Sequence, residues 1–172
     1  MKARQESCCF TGHRPAKLPW RYDESDPRCL TLKGRIRDAV EIAYDQGYRH
    51  FLCGMAQGCD LYFCEVVLAL RKNCPDVTLE AAIPCPTQAD SWPAAQRERY
   101  ARLLEACDYE TMVSARYSSS CMLRRDRYMV DHAALLIAAF DGSAGGTRYT
   151  VEYAMRRGLD VVDLAIPAGE KD

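Results

Sequence analysis

The sequence is poor in lysine, with five against eighteen arginines, and it holds only three histidines. No two of its ten cysteines stand in a CxxC spacing, so a zinc site of that kind is not expected and no metal ligand set is read from it. No apolar run approaches the ~18 residues that a membrane-spanning helix needs. Residues 1–7 are polar and lack an apolar signal segment, which predicts a reducing, cytoplasmic setting with the cysteines as small buried residues. There is no internal repeat and no low-complexity tract. The formal net charge of -1 excludes a global attraction to nucleic acid or anionic lipid, so any anion must be recognised locally. Arginine in such excess supplies planar forks suited to phosphate and carboxylate, although a genomic bias in composition gives the same ratio.

What is present is alternation. Short, mostly apolar runs near 7–11, 50–53, 78–83, 110–114, 134–140 and 160–164 read as strands, the last at an edge. Helical patterns over 31–46, 61–72, 91–106, 121–132 and 147–157 lie between them. In the first of these, Leu32, Ile36, Ala39, Val40 and Ala43 share one face and Gly47 closes the helix. The pattern predicts one α/β domain over 1–172, a Rossmann-like three-layer sandwich with a mostly parallel central sheet and helices on both faces. Residues 14–27, with Pro15, Pro19, Trp20 and Pro27, show neither period and read as a long loop, either a lid or a structural insertion. Residues 168–172 read as a frayed tail.

Ligands of open α/β sheets collect beyond the carboxyl ends of the strands. After the first strand stand Thr11, Gly12, His13 and Arg14, either a tight turn with solvated His and Arg or a backbone approach flanked by phosphate donors. His13 also qualifies as a general base or metal ligand. After the second, Gly54 to Asp60 runs into a helix start, with Gly54 and Gly58 as the glycines of a possible anion cradle. Asp60 there either caps its helix or accepts from ribose hydroxyls. After the fifth, Gly145, Gly146 and Thr147 offer a second cradle, with Glu152 a turn further on as either a solvated carboxylate or a group facing the crevice. Neither loop is a complete GxGxxG or P-loop, so NAD binding and ATP hydrolysis do not follow and no cofactor is expected.

Taken in order, Thr11-Gly12-His13-Arg14-Pro15, Gly54-Met55-Ala56-Gln57-Gly58-Cys59-Asp60, Met122-Leu123-Arg124-Arg125-Asp126-Arg127-Tyr128-Met129 and Gly145-Gly146-Thr147-Arg148-Tyr149-Thr150-Val151-Glu152 resemble the motifs of the SLOG superfamily. That superfamily joins the DNA-processing protein DprA with the Lonely Guy phosphoribohydrolases, and the resemblance is strongest to its YpsA-like branch. It implies binding or sensing of a nucleotide or nucleotide-derived small molecule at the carboxyl edge of the sheet. As an alternative it implies a nucleoside 5'-monophosphate phosphoribohydrolase with Arg125 and Glu152 as the catalytic pair, and, by the same analogy, a homodimer. Ala144, Arg148, the early Thr147 and Asp126 depart from the hydrolase pattern and weigh on the reaction more than on binding. A DprA-like nucleic-acid-binding module is a further alternative. Composition speaks against nucleic acid as a partner, because a single-strand binder wants a basic groove with exposed aromatics.

Overall fold

A computed structural model describes residues 2–167, so the expected tail at 168–172 lies outside the described residues. The elements run in the order β1 (Ser7–Gly12), α1 (Pro27–Asp45), β2 (His50–Cys53), α2 (Cys59–Asn73), β3 (Thr78–Ile83), α3 (Ala94–Ala106), β4 (Tyr109–Met112), α4 (Cys121–Asp131), β5 (Leu135–Ala139), α5 (Gly146–Arg156) and β6 (Asp160–Asp163), with short 3-10 turns at Arg4–Glu6 and Pro15–Lys17. Among the described residues the six strands form one sheet in the order β4-β3-β2-β1-β5-β6, and every pairing is parallel. The expected Rossmann-like α/β architecture is thus the observed one.

Alternation along the strands builds two cores. Cys8, Phe10, Phe51, Cys53, Leu79, Ala81, Leu135 and Ile137 pack with α1, α2 and α3. Their neighbours Cys9, Leu52, Ala82, Leu136 and Ala138 pack with Met129 and Val130 of α4 and Ala154 of α5. Both faces of the inner strands are therefore buried, which is why they read as unbroken apolar runs. No helix among the described residues is long and apolar enough to cross a membrane, and all ten cysteines are free thiols.

Several boundaries differ from the sequence reading: α2 begins at Cys59, not 61, α3 at Ala94, not 91, and α1 and β4 are shifted as well. α1 begins at Pro27, not at residue 31, because Asp26 caps it by accepting from the Arg28 N–H (2.8 Å) and Pro27 opens the first turn. The stretch 14–27 is correspondingly less loop-like. It carries the Pro15–Lys17 turn and buries Leu18 and Trp20 in the core. β4 lies at 109–112, not 110–114, although Val113 and Ser114 still donate to the carbonyls of Ile83 and Pro84.

Candidate functional site

The chain leaves β1 toward β2 on one side of the sheet, and β5 pairs on the other side of β1. The carboxyl ends of β1 and β5 therefore flank a switch point, where open α/β sheets form a crevice. A cavity of about 430 Å³ opens there, and Thr11, Gly12, His13, Arg14, Asp60, Arg125, Gly145, Gly146 and Thr147 line it together with Lys17 and Asp126. Gly54, Gly58 and Glu152 do not line it.

Each wall has a local cause. The β2–α2 turn is closed upon itself, since Met55 N–H donates to Cys53 Sγ (3.4 Å), Ala56 N–H to Asp60 Oδ2 (3.1 Å) and Cys59 N–H to the His13 carbonyl (3.2 Å). Three of the donors that the sequence offered to an anion at 54–60 are thus spent within the fold. Asp60 does not cap α2, whose N-cap is Gly58. Burial pushes its carboxyl up to about 6, against the nearby Arg125 cation that lowers it.

Arg125 is 4% exposed and donates from Nε to Asp126 Oδ1 (2.7 Å) and from Nη1 to the Gly54 carbonyl. Burial works against its charge, yet Asp126 and Asp60 hold its pKa above the ordinary value. Gly54 exists for this contact, because a Cβ there would stand 2.7 Å from Nη1.

The β5–α5 turn is the opposite of the β2–α2 turn. Its Ser143 N–H donates to Asp141 Oδ1 (2.9 Å), while among the described residues no group accepts from the N–H groups of Gly142, Ala144, Gly145, Gly146 or Thr147. Lys17 reaches across to donate to the Ala144 carbonyl (2.6 Å), and a Cβ on Gly145 would meet its Nζ at 2.6 Å. An ammonium and the positive end of α5 thus share one wall. Arg14, exposed at the rim, has among the described residues only the thioether of Met122 within reach of Nη2 (3.7 Å).

Glu152 lies outside, 49% exposed and paired with Arg148 Nε at 3.0 Å. The structure therefore joins Arg125, not Glu152, to the cavity. Lys17, Asp126 and Asp141 are the residues that the sequence reading did not place in the site. Lys17 stood inside a stretch read as loop, and nothing local marks its reach to residue 144.

A second cavity, of about 550 Å³, lies at the amino ends of the strands beside His50, Glu80, Tyr109 and Tyr128. Its polar groups are used internally: Glu80 accepts from His50 Nε2 (2.6 Å), Tyr128 Oη (2.5 Å) and Thr111 Oγ1 (2.7 Å). Burial tends to raise the Glu80 pKa, and these bonds overcome it and draw it down to about 2. Among the described residues no group of three His, Cys, Asp or Glu side chains is arranged to hold a metal.

A family model described as the YspA SLOG family matches residues 8–160. The chain is 31% identical over 145 residues to the SPbeta prophage-derived protein YoqJ of Bacillus subtilis, a match covering 76% of this chain and 84% of that protein. It is 29% identical over 129 residues to a UPF0398 protein of Halalkalibacterium halodurans, covering 73% and 68%. Among solved structures it is similar to DNA processing protein A of Streptococcus pneumoniae, with a TM-score of 0.61 at 17% identity over 92% of this chain. This chain spans 50% of that one. It is also similar to the Helicobacter pylori DNA processing protein A, described for its single-stranded DNA binding mode, with a TM-score of 0.61 at 14% identity, covering 97% of this chain and 69% of that one. At such identities the likeness is one of fold.

Proposed function

The chain belongs to the YspA SLOG family, and on that premise we propose that its switch-point cavity binds a nucleotide or nucleotide-derived ligand, phosphate first. The observation that carries this is the convergence of the Lys17 ammonium with the unengaged N–H groups of Gly146 and Thr147 at the start of α5. A phosphate there gains about 0.3–1 kcal/mol from the helix end, and about 1.5–3 kcal/mol from each charge-assisted hydrogen bond. The bonds, not the dipole, decide affinity. Across the cavity Asp60 and Asp126 present carboxylates suited to ribose hydroxyls. The volume of about 430 Å³ sits low in the ~300–1,000 Å³ range of small-molecule pockets, which favours a mononucleotide over a dinucleotide.

One-dimensional proton NMR of the protein with nucleoside monophosphates, NAD and ADP-ribose tests this, because it reports binding and release of base together. Selective broadening of the phosphate-bearing ligands is expected. Lys17→Ala should weaken them about tenfold, the equivalent of one lost charged hydrogen bond, with no change in melting temperature because the side chain is exposed. Silence across the panel, or indifference to Lys17→Ala, would sink the reading. Free base that disappears in Glu152→Gln would instead establish the N-glycoside hydrolase, with Arg125 holding substrate. The pairing of Glu152 with Arg148 outside the cavity favours binding without turnover.

A second reading, a single-stranded nucleic acid, is favoured by one surface. The argument from composition against such a partner required that basic and aromatic groups not be grouped. Between α4 and α5 they are: Arg127 donates from Nε to Tyr149 Oη (2.6 Å), and its guanidinium stands 5.6 and 5.9 Å from the ring centres of Tyr149 and Tyr153. Arg156 lies over Tyr153 as well, at 5.9 Å. Arginine on aromatic faces is the chemistry of single-strand platforms. Oligodeoxythymidine binding should then fall with salt at a log–log slope of about -0.7 per phosphate engaged and be lost in Arg127→Glu. Binding that ignores salt and this substitution excludes the strand.

A further inference from the structure

We propose that His13, read from sequence as a ligand contact, is a positioning residue that holds the phosphate loop in shape through Asp141. This rests on the phosphate reading of the same cavity.

The loop from Phe140 to Gly145 has almost nothing of its own to hold it. Its internal bond is the Ser143 N–H to Asp141 Oδ1 (2.9 Å), and nothing lies within 4 Å of a Cβ built on Gly142. Its first residue is held from outside by the Ile166 N–H, which donates to the Phe140 carbonyl (3.0 Å), and beyond that residue the ties among the described residues come from residues 13–17, at two places. At its far end Lys17 grips the Ala144 carbonyl (2.6 Å). At its near end His13 Nε2 stands 2.8 Å from Asp141 Oδ1, the same oxygen that receives Ser143. The Asp141 N–H also points at Nε2 (3.2 Å), so the ring meets both the main chain and the side chain of Asp141; an ionised carboxylate only accepts, so the shorter Oδ1 contact places the proton on Nε2.

The two ties differ in stiffness. Lys17 is an exposed side chain on a flexible stem and is free to follow a ligand. His13 is 2% exposed and lies edge-on to Phe140, with ring centres 6.2 Å apart. Its N–H donates to the Ala139 carbonyl (3.0 Å) and its carbonyl accepts from Cys59 N–H (3.2 Å). The imidazole is therefore clamped before any ligand arrives, and a clamped group whose donor is committed to Asp141 acts on a ligand only by shaping the loop. Hydrogen bonds from Ser143 and then His13 hold the Asp141 carboxyl well below the usual carboxylate range, against burial that raises it, so the tie persists through neutral pH. The tie is not needed to join β1 to β5, whose ladder already runs from Cys8 with Leu135 to Gly12 with Ala139. It extends order past the ladder into the segment that aims the N–H groups of Gly146 and Thr147.

Calorimetric titration with AMP and with adenosine separates this role from a structural one. His13→Ala and Asp141→Ala should each lose about tenfold in affinity for AMP, the scale on which misplacing a bound group matters, with adenosine affinity unchanged. The double variant should lose no more than either alone. His13→Gln, whose amide nitrogen can occupy the place of Nε2, should restore most of the loss. Equal losses for AMP and adenosine, or unchanged AMP affinity in both single variants, overturn the proposal. If the wild-type protein binds neither compound, the phosphate reading has failed. The tie is then judged on NMR amide signals of Gly145, Gly146 and Thr147, which must broaden or shift in His13→Ala and whose constancy would refute it.

Discussion

Replacing Arg125 with methionine is expected to remove about 3–5 kcal/mol of stability, the cost of breaking a buried ion pair from one side, read as a lowered urea midpoint. The guanidinium is the cation between two buried carboxylates. Without it Asp126 loses its Nε donor (2.7 Å), the Gly54 carbonyl loses Nη1, and Asp60 loses the charge that opposes its desolvation. The loss should depend on pH, with a sign that follows from Asp60. Its folded pKa of about 6 lies above the unbound value of 3.8, so between those values the folded state binds more protons than the unfolded one. Stability from this group therefore rises as pH falls through 6. In Arg125→Met the folded pKa moves further up, so the gain begins at higher pH, and the cost of the substitution should shrink between pH 7 and pH 5. A cost that stays constant over that interval would show that Asp60 is not the group left stranded. Lysine is not expected to rescue the site, because one ammonium does not reproduce a fork that serves Asp126 and Gly54 together.

Gly58→Ala is the second large effect, and Gly142→Ala is its control. Both glycines have positive φ, +88° and +83°, where a side chain costs about 1–3 kcal/mol. Only Gly58 is also crowded. A Cβ there would lie 2.8 Å from the His13 carbonyl oxygen, 3.0 Å from Pro15 Cδ and 3.1 Å from Arg14 Cα, whereas Gly142 has nothing within 4 Å. The carbonyl cannot retreat without giving up the Cys59 N–H. The overpacking adds about 1–3 kcal/mol, so thermal or urea unfolding should place Gly58→Ala well below Gly142→Ala. Equal losses would mean that backbone strain alone accounts for Gly58. Because the atoms it displaces belong to residues 13–15, the same variant should also disturb the His13 and Lys17 ties to the phosphate loop.

Most of the fold was legible because burial on both faces leaves the inner strands without polar interruption, so β1, β2, β3 and β5 stand out as runs. Where the ends were misread, the signal was chemical and not periodic. The first turn of α1, Pro27-Arg28-Cys29-Leu30, is announced by Asp26 and Pro27, not by spacing. The lining of the cavity was legible wherever the strand-end rule applied, at 11–14 and 145–147. It does not reach Gly54 and Gly58, which lie outside the lining and whose loop spends three N–H groups on Cys53, Asp60 and His13. Glu152 lies outside the lining as well. On α5 the residues Thr147, Thr150 and Ala154 are buried, and the helical period sends Arg148 and Glu152 to the opposite, exposed side. Lys17 and Asp141 were out of reach of any local pattern, since each acts on a residue from the far end of the chain. The carboxylate of Glu80 gave no sign that it would be buried against His50 and Tyr128.

The pairing of Cys8 with Leu135 also has a consequence during synthesis. A chain emerging from a ribosome at about 5–20 residues per second can assemble β4-β3-β2-β1 under α1, α2 and α3 long before β5 is made. Through that interval Cys9, Leu52 and Ala82 present an open apolar face to any chaperone or neighbouring nascent chain, and only α4 and α5 cover it. The cavity, with one wall from the first seventeen residues and the other from residues 145–147, closes only when α5 arrives, with β6 still to follow. A bound ligand would thus report that folding had reached α5, since no chain cut short before residue 147 holds both halves of its cradle.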